Sequence, residues 1–258
     1  MNRRALLFGL NYEGTTASLK GCENDAHNMA EFLMRQHKFK CDVRIGAAAT
    51  TASAILDALV DLATDSYDED LDTVWIHYSG HGTNIAGFSD NELDGFDECL
   101  VPSDFRLIPD DYISKVLYYF NPRTSIVFVA DCCHSGTISD LPFTWTDLIN
   151  ERSAPLVENK NNNEHGRGRR ILAISGCRDD HTSADALLQD PMDICSKSKE
   201  YSGAMTTYLL QALKKDPTLY NNVFKLVRTM GDHLERDGFS QHPRLASCHD
   251  IRASPTLF

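Results

Sequence analysis

An α/β fold built on a mostly parallel central sheet, with helices on both faces, is what this 258-residue sequence predicts. Three observations carry that reading. Two short runs, Thr73-Val74-Trp75-Ile76-His77-Tyr78 and Ser125-Ile126-Val127-Phe128-Val129-Ala130, are rich in β-branched and aromatic residues. They are too continuously apolar for half-exposed strands and read as parallel strands buried on both faces. Amphipathic helical stretches separate the strand-like runs, the rhythm of βαβ units. Each run leads into a glycine-bearing turn, Ser79-Gly80-His81-Gly82 in one case and Asp131-Cys132-Cys133-His134-Ser135-Gly136 in the other. Loops leaving the carboxyl ends of such strands are where open α/β sheets carry their sites.

The elements follow in order. Ala5 to Leu10 form a first strand. Residues 23–37 place Ala26, Met29, Ala30, Phe32, Leu33 and Met34 at three- and four-residue intervals behind the cap-like Asn24-Asp25, an amphipathic helix. Cys41 to Ile45 is a short strand, and Thr50-Thr51 open a second helix carrying Ile55, Leu56, Leu59, Val60 and Leu62. After the strand at 73–78, residues 84–109 hold Gly87, Asp90, Gly95, two prolines and many acids, a long functional loop with room for one hairpin. A helix is expected at 110–120 before the strand at 125–130. From about 150 to 170 the chain is polar and asparagine-rich with no apolar face to bury, a linker. Strand pattern resumes at 170–175, with helices near 204–215 and 221–235 and a last short strand at 244–247. No internal repeat is present.

Composition narrows the functional classes. With 42% apolar residues the chain supports a real core. The formal charge of −12 and the lack of a basic stripe argue against nucleic acid. Eight cysteines without framework spacing, in a chain too large to depend on disulfide staples, suggest a reducing, cytoplasmic setting. The apolar run at the start is six residues long and stops at Asn11, so it reads as a strand rather than a signal peptide. No stretch approaches the ~18 apolar residues of a membrane span.

The two turns suggest a thiol nucleophile beside an imidazole. A thiolate attacks carbonyls, and a neighbouring imidazole supplies charge and later protonates the leaving amine. Residues two apart on an extended segment share a side, so Cys133 pairs with Asp131 and His81 with Ser79, while Cys132 faces elsewhere. That selects His81 and Cys133 as the reacting pair, with the amides of Gly82 and Cys133 as oxyanion donors. Two other readings stay open at this point. Any one cysteine or histidine could be structural, and a zinc site could use the same residues, although adjacent cysteines lack the C-x₂₋₄-C spacing of such sites.

These motifs resemble those of metacaspases, the caspase-like proteases of plants, fungi, protists and bacteria. Gly21-Cys22-Glu23-Asn24-Asp25-Ala26, Asp94-Gly95-Phe96-Asp97-Glu98, Ser175-Gly176-Cys177-Arg178-Asp179-Asp180 and Thr182-Ser183-Ala184-Asp185 extend the resemblance over nearly the whole chain. It implies a caspase-hemoglobinase fold, a His81–Cys133 dyad, and cleavage of peptides and proteins after arginine or lysine. Charge supports the last point independently: Asp25 and Asp131, converging beside the thiol, suit a guanidinium through paired charge-assisted bonds. Ser79 and Cys22 would complete that specificity pocket. Asp25 alone could equally be a helix-capping acid.

The resemblance also implies activation by calcium, with Asp94, Asp110, Asp111 and Asp140 as ligands, hard oxygen donors that suit a seven-coordinate ion. An EF-hand fits Asp90, Glu92, Asp94 and Gly95 but fails at Val101, where the bidentate glutamate belongs. The layout expected is a single peptidase domain over 1–258, with a large-subunit-like region at 1–150, a flexible linker at 151–169 and a small-subunit-like region at 170–258. Lys160, Arg167, Arg169 and Arg170 are candidate self-cleavage points for a zymogen. A monomer without membrane or nucleic-acid partners is expected. The alternatives are a non-catalytic interaction scaffold of the same fold, or a clostripain- or legumain-like peptidase.

Overall fold

β-Branched and aromatic residues dominate the strands whose every side chain must be buried, and that requirement orders the whole sheet. In the computed structural model, residues 1–86, 96–132, 138–145, 156–157, 169–177, 185–189, 199–239 and 241–258 are described. The chain opens with β1 (Arg3–Gly9), α1 (Cys22–His37), β2 (Lys40–Ile45), α2 (Ala52–Asp68) and β3 (Thr73–Ser79). A small sheet of β4 (His81–Ala86), β5 (Phe96–Val101) and β6 (Ile108–Pro109) follows, then α3 (Asp110–Tyr119) and β7 (Ser125–Asp131). Next come β8 (Phe143–Trp145), β9 (Leu156–Val157), β10 (Arg170–Cys177), β11 (Asp185–Gln189) and β12 (Lys199–Gly203). The chain ends with α4 (Ala204–Lys215), α5 (Val223–Arg236) and β13 (His242–Ser247).

The main sheet has eight strands in the order β2-β1-β3-β7-β10-β13-β8-β9. Its first five strands are mutually parallel, and β13, β8 and β9 add antiparallel pairings at one edge. β3 is buried along its entire length, as a central parallel strand must be. Alternation of side chains splits the core in two. Phe8, Ile76, Tyr78 and Phe128 face Ile55, Leu59, Ile113 and Leu117 of α2 and α3. Leu7, Trp75 and Val129 face Met29, Phe32, Leu209 and Phe224 of α1, α4 and α5. The fold class is therefore the one the sequence predicts: a mostly parallel sheet covered on both faces.

Local differences have physical reasons. The hairpin for which the segment 84–109 has room is β4 with β5, paired antiparallel from His81↔Val101 to Ala86↔Phe96, and its first strand starts earlier than expected, at His81. Leu156–Val157, inside the stretch expected to be a linker, pairs with β8, because two residues suffice to cap an open sheet edge. α2 begins as expected, with the Thr51 hydroxyl accepting from the Ala54 amide at 3.3 Å. α1 differs: its N-cap is Gly21, and its first-turn amides, those of Cys22 and Glu23, donate to Asn11 Oδ1 at 3.1 and 3.4 Å. Asp25 lies inside the first turn and is fully buried, which removes the capping reading and gives its carboxylate another task.

Candidate active site

Register brings the site together. β3 lies between β1 and β7 with Gly9 opposite Ser79 and Ser79 opposite Asp131, a row across the carboxyl ends of three parallel strands. Gly9 allows α1 to start directly on that row, since a Cβ there would stand 2.4 Å from the Cys22 carbonyl oxygen. One turn into α1, Asp25 then points at the row. Its Oδ2 accepts from the Ser79 hydroxyl at 2.6 Å, and the Gly203 amide donates to its Oδ1 and Oδ2 at 2.9 and 3.0 Å.

The second acid is held by the same helix start. Thr206, in the first turn of α4, donates from both its amide and its hydroxyl to Asp131 Oδ2, each at 2.8 Å. Unsatisfied amides and the positive end of the helix dipole stabilise anions there. Gly203 marks where the two carboxylates meet: a Cβ would sit 2.5 Å from Oδ2 of Asp25 and 2.5 Å from Oδ2 of Asp131. Beneath them His77 is fully buried, its Nε2 3.1 Å from Thr206 Oγ1. Burial lowers the His77 pKa to about 3, so this ring is neutral at working pH.

His81 is the first residue of β4 and is half-buried. Its Nε2 lies 2.7 Å from the Ala17 carbonyl oxygen, which only accepts, so in the neutral ring this nitrogen carries the hydrogen and Nδ1 is left as the base. The His81 amide donates to the Tyr12 hydroxyl at 2.8 Å, and the two rings lie 4.7 Å apart. Tyr12 in turn donates to the Val101 carbonyl, and Tyr78 reaches the His81 and Val101 carbonyls at 3.0 Å each. Tyr12 adopts a left-handed φ of 50°, rare for a bulky residue and held here by these bonds. Burial pushes the hydroxyl pKa of both tyrosines well above the ordinary range, so each remains a neutral donor.

The other expected site residues fall as follows. Cys132 is fully buried in the core beneath α2 and α3, so it faces away from Asp131, as strand alternation requires. Cys22, the first residue of α1, is buried and packs with that same core. Gly82 is the second residue of β4, opposite Leu100. Cys133, Asp94, Lys160 and Arg167 lie outside the described residues.

Asp110 is buried in the first turn of α3, its Oδ1 accepting from the Asp111 amide at 2.8 Å. Asp111 is exposed and pairs with Lys115 at 3.1 Å. Asp140 is half-buried with a φ of 41°. Among the described residues no group of three or more His, Cys, Asp or Glu side chains is placed to hold a metal, so Asp110, Asp111 and Asp140 do not form one without Asp94. Arg169 is pinned: its guanidinium donates to the Phe120 carbonyl at 2.7 Å, and its own carbonyl accepts from the Cys248 thiol at 3.2 Å. Arg170 opens β10 opposite Ser125. The bond after Arg170 lies in the β10 ladder, and the Arg169 side chain and carbonyl are both engaged, so cutting at either would require that end of the strand to open.

Residues 2–253 match the Caspase domain family, Peptidase_C14. A mostly parallel sheet with its site at the carboxyl rim, together with that match, defines a cysteine-type peptidase of caspase fold. The chain is 32% identical to metacaspase-2 of Trypanosoma brucei brucei, covering 98% of this chain and 75% of that protein. It is 27% identical to metacaspase-1 of Kluyveromyces lactis, over 96% of this chain and 66% of that one, and 28% identical to metacaspase-1B of Neurospora crassa, over 96% and 67%. A crystal structure of a Geobacter sulfurreducens protein shares the fold with a TM-score of 0.63 at 24% identity, covering 96% of this chain and 93% of that one. This chain belongs to the caspase-domain family, among its metacaspases.

Proposed function

We propose that this cysteine peptidase is a calcium-activated endopeptidase cleaving after arginine or lysine, with Cys133 as nucleophile and His81 as its acid–base partner. The observation that carries the specificity is the pair of buried carboxylates, Asp25 and Asp131, meeting at Gly203 beside the strand end that leads to Cys133. A guanidinium or ammonium group of the substrate would be held there by charge-assisted bonds. Nδ1 of His81 takes the thiol proton, the Cys133 thiolate attacks the scissile carbonyl, and the proton passes to the leaving amine. The Gly82 and Cys133 amides hold the oxyanion, and water then releases the acyl group with His81 as base.

Asp110 and Asp111 supply hard oxygen donors of the kind calcium takes, and with Asp94 and Asp140 would hold the ion. When bound, calcium would contribute charge and order to the loops that carry these acids. Self-cleavage in the linker is assigned to Lys160 or Arg167, upstream of the pinned Arg169. The enzyme is taken to act as a cytoplasmic monomer.

A fluorogenic peptide ending in arginine, assayed under reducing conditions with millimolar calcium, tests this reading. Turnover that rises with calcium, ceases in Cys133→Ala and is absent for an aspartate-ending peptide is expected. No turnover in calcium, or cleavage after aspartate, overturns it.

A further inference from the structure

His77 is a fully buried imidazole in the middle of an otherwise apolar strand run, and the dyad does not use it. Its bonding is determined by the neighbours. The Thr206 hydroxyl has one hydrogen, and the 2.8 Å contact to Asp131 Oδ2, which only accepts, claims it. At 3.1 Å from His77 Nε2 the same oxygen must therefore accept, so Nε2 carries the ring hydrogen. Nδ1 is then bare and buried without a hydrogen-bond partner. Phenylalanine or leucine would fill this position without an unsatisfied nitrogen, so the histidine is kept at a cost to packing that its donor must justify.

We propose that His77 is a positioning residue for substrate specificity: its Nε2–H fixes the Thr206 hydroxyl rotor, which aims that hydroxyl hydrogen at Asp131 Oδ2 and holds the carboxylate toward the incoming basic side chain. The proposal rests on Asp131 being part of the specificity pocket. Without the imidazole donor the hydroxyl is free to turn, and the carboxylate loses one of its two bonds from Thr206. Burial keeps the ring uncharged, so it directs the carboxylate without becoming a counter-ion that would compete with substrate. Gln at this position carries an N–H donor at about the same reach, whereas Phe carries none. Thr206→Val removes the link from the other end, changing only a hydroxyl to a methyl.

The test measures kcat and KM for matched peptides ending in arginine and in citrulline, which keeps the shape and removes the charge. Thermal unfolding and the rate of Cys133 alkylation by iodoacetamide are followed alongside. His77→Phe and Thr206→Val are each expected to lower the arginine-to-citrulline selectivity about tenfold, mainly through KM, with the alkylation rate unchanged. His77→Gln should restore most of it, and the double variant should lose no more than either single one. Additive losses, equal losses on both peptides, or unchanged selectivity in Thr206→Val would make His77 purely structural; the Thr206 arm decides the matter if His77→Phe does not fold. A wild-type enzyme that shows no preference for arginine over citrulline fails at the earlier step and overturns the pocket itself along with this role.

Discussion

The acids and the histidine of the site are held in opposite ways. Asp25 and Asp131 are 0% and 4% exposed and take hydrogen bonds from Ser79, Gly203 and Thr206, groups fixed on a strand and at a helix start. His81 is half-buried, begins a hairpin, and is oriented by one loop carbonyl and one tyrosine. On the proposed reading the two acids recognise substrate, and a recognition group gains from rigidity, because a misdirected charge loses a charge-assisted bond outright. On the same reading His81 carries the proton, and a proton carrier must turn between nucleophile and leaving group, so a lighter hold suits it.

Breaking the rigid half should have the largest effect. Asp131→Ala removes a carboxylate and strands two Thr206 donors, so kcat/KM for an arginine peptide is expected to fall about 10³-fold, read by steady-state kinetics on protein checked for folding. A fall below tenfold would show that Asp131 is not a substrate contact. Gly203→Ala should come next. Its methyl would collide with both acids, and we expect about 3 kcal/mol lost in urea unfolding together with most of the activity. Retained stability would mean that the helix start yields more easily than the geometry suggests.

A third comparison uses acid. The unfolded chain protonates His77 near its ordinary value of 6.5, whereas the folded chain keeps it neutral down to about 3. Between those values the unfolded state binds more protons, so stability falls as pH drops below about 6.5, by about 2 kcal/mol from this group at pH 5. His37, His233 and His249 are lowered by burial in the same direction. The difference between wild type and His77→Gln in urea midpoints at pH 7 and pH 5 isolates the one residue, and equal pH dependence would refute it. Smallest is the lightly held half: Tyr12→Phe loses the bonds to the His81 amide and the Val101 carbonyl, and kcat should fall about fivefold to tenfold with KM nearly unchanged. A change confined to KM would place Tyr12 in substrate binding instead.

The parts visible in the sequence were those set by local pattern. Continuous β-branched and aromatic runs marked β3 and β7, helical spacing marked α1, α2, α4 and α5, and alternation separated Asp131 from Cys132. β8 and β9 escaped because three and two residues carry no period, and their pairing comes from the sheet edge they cover. Asp25 by itself read equally as a cap or a pocket acid, because its position in the helix is legible and its partner Gly203, 178 residues away, is not. The same holds for His77 and Thr206, joined across 129 positions. Gly203 at the start of a helical stretch was the one local signal, since it stands where α4 begins.

The order of strands also bears on what a proteolytic nick would do. Whatever bond is cut between 146 and 168, the carboxyl-terminal piece owns β10 and β13, and these are flanked by β7 and β8 of the amino-terminal piece. The fragments interleave like the fingers of two hands, so a severed molecule should migrate as one particle on a sizing column and come apart only when the sheet itself is denatured.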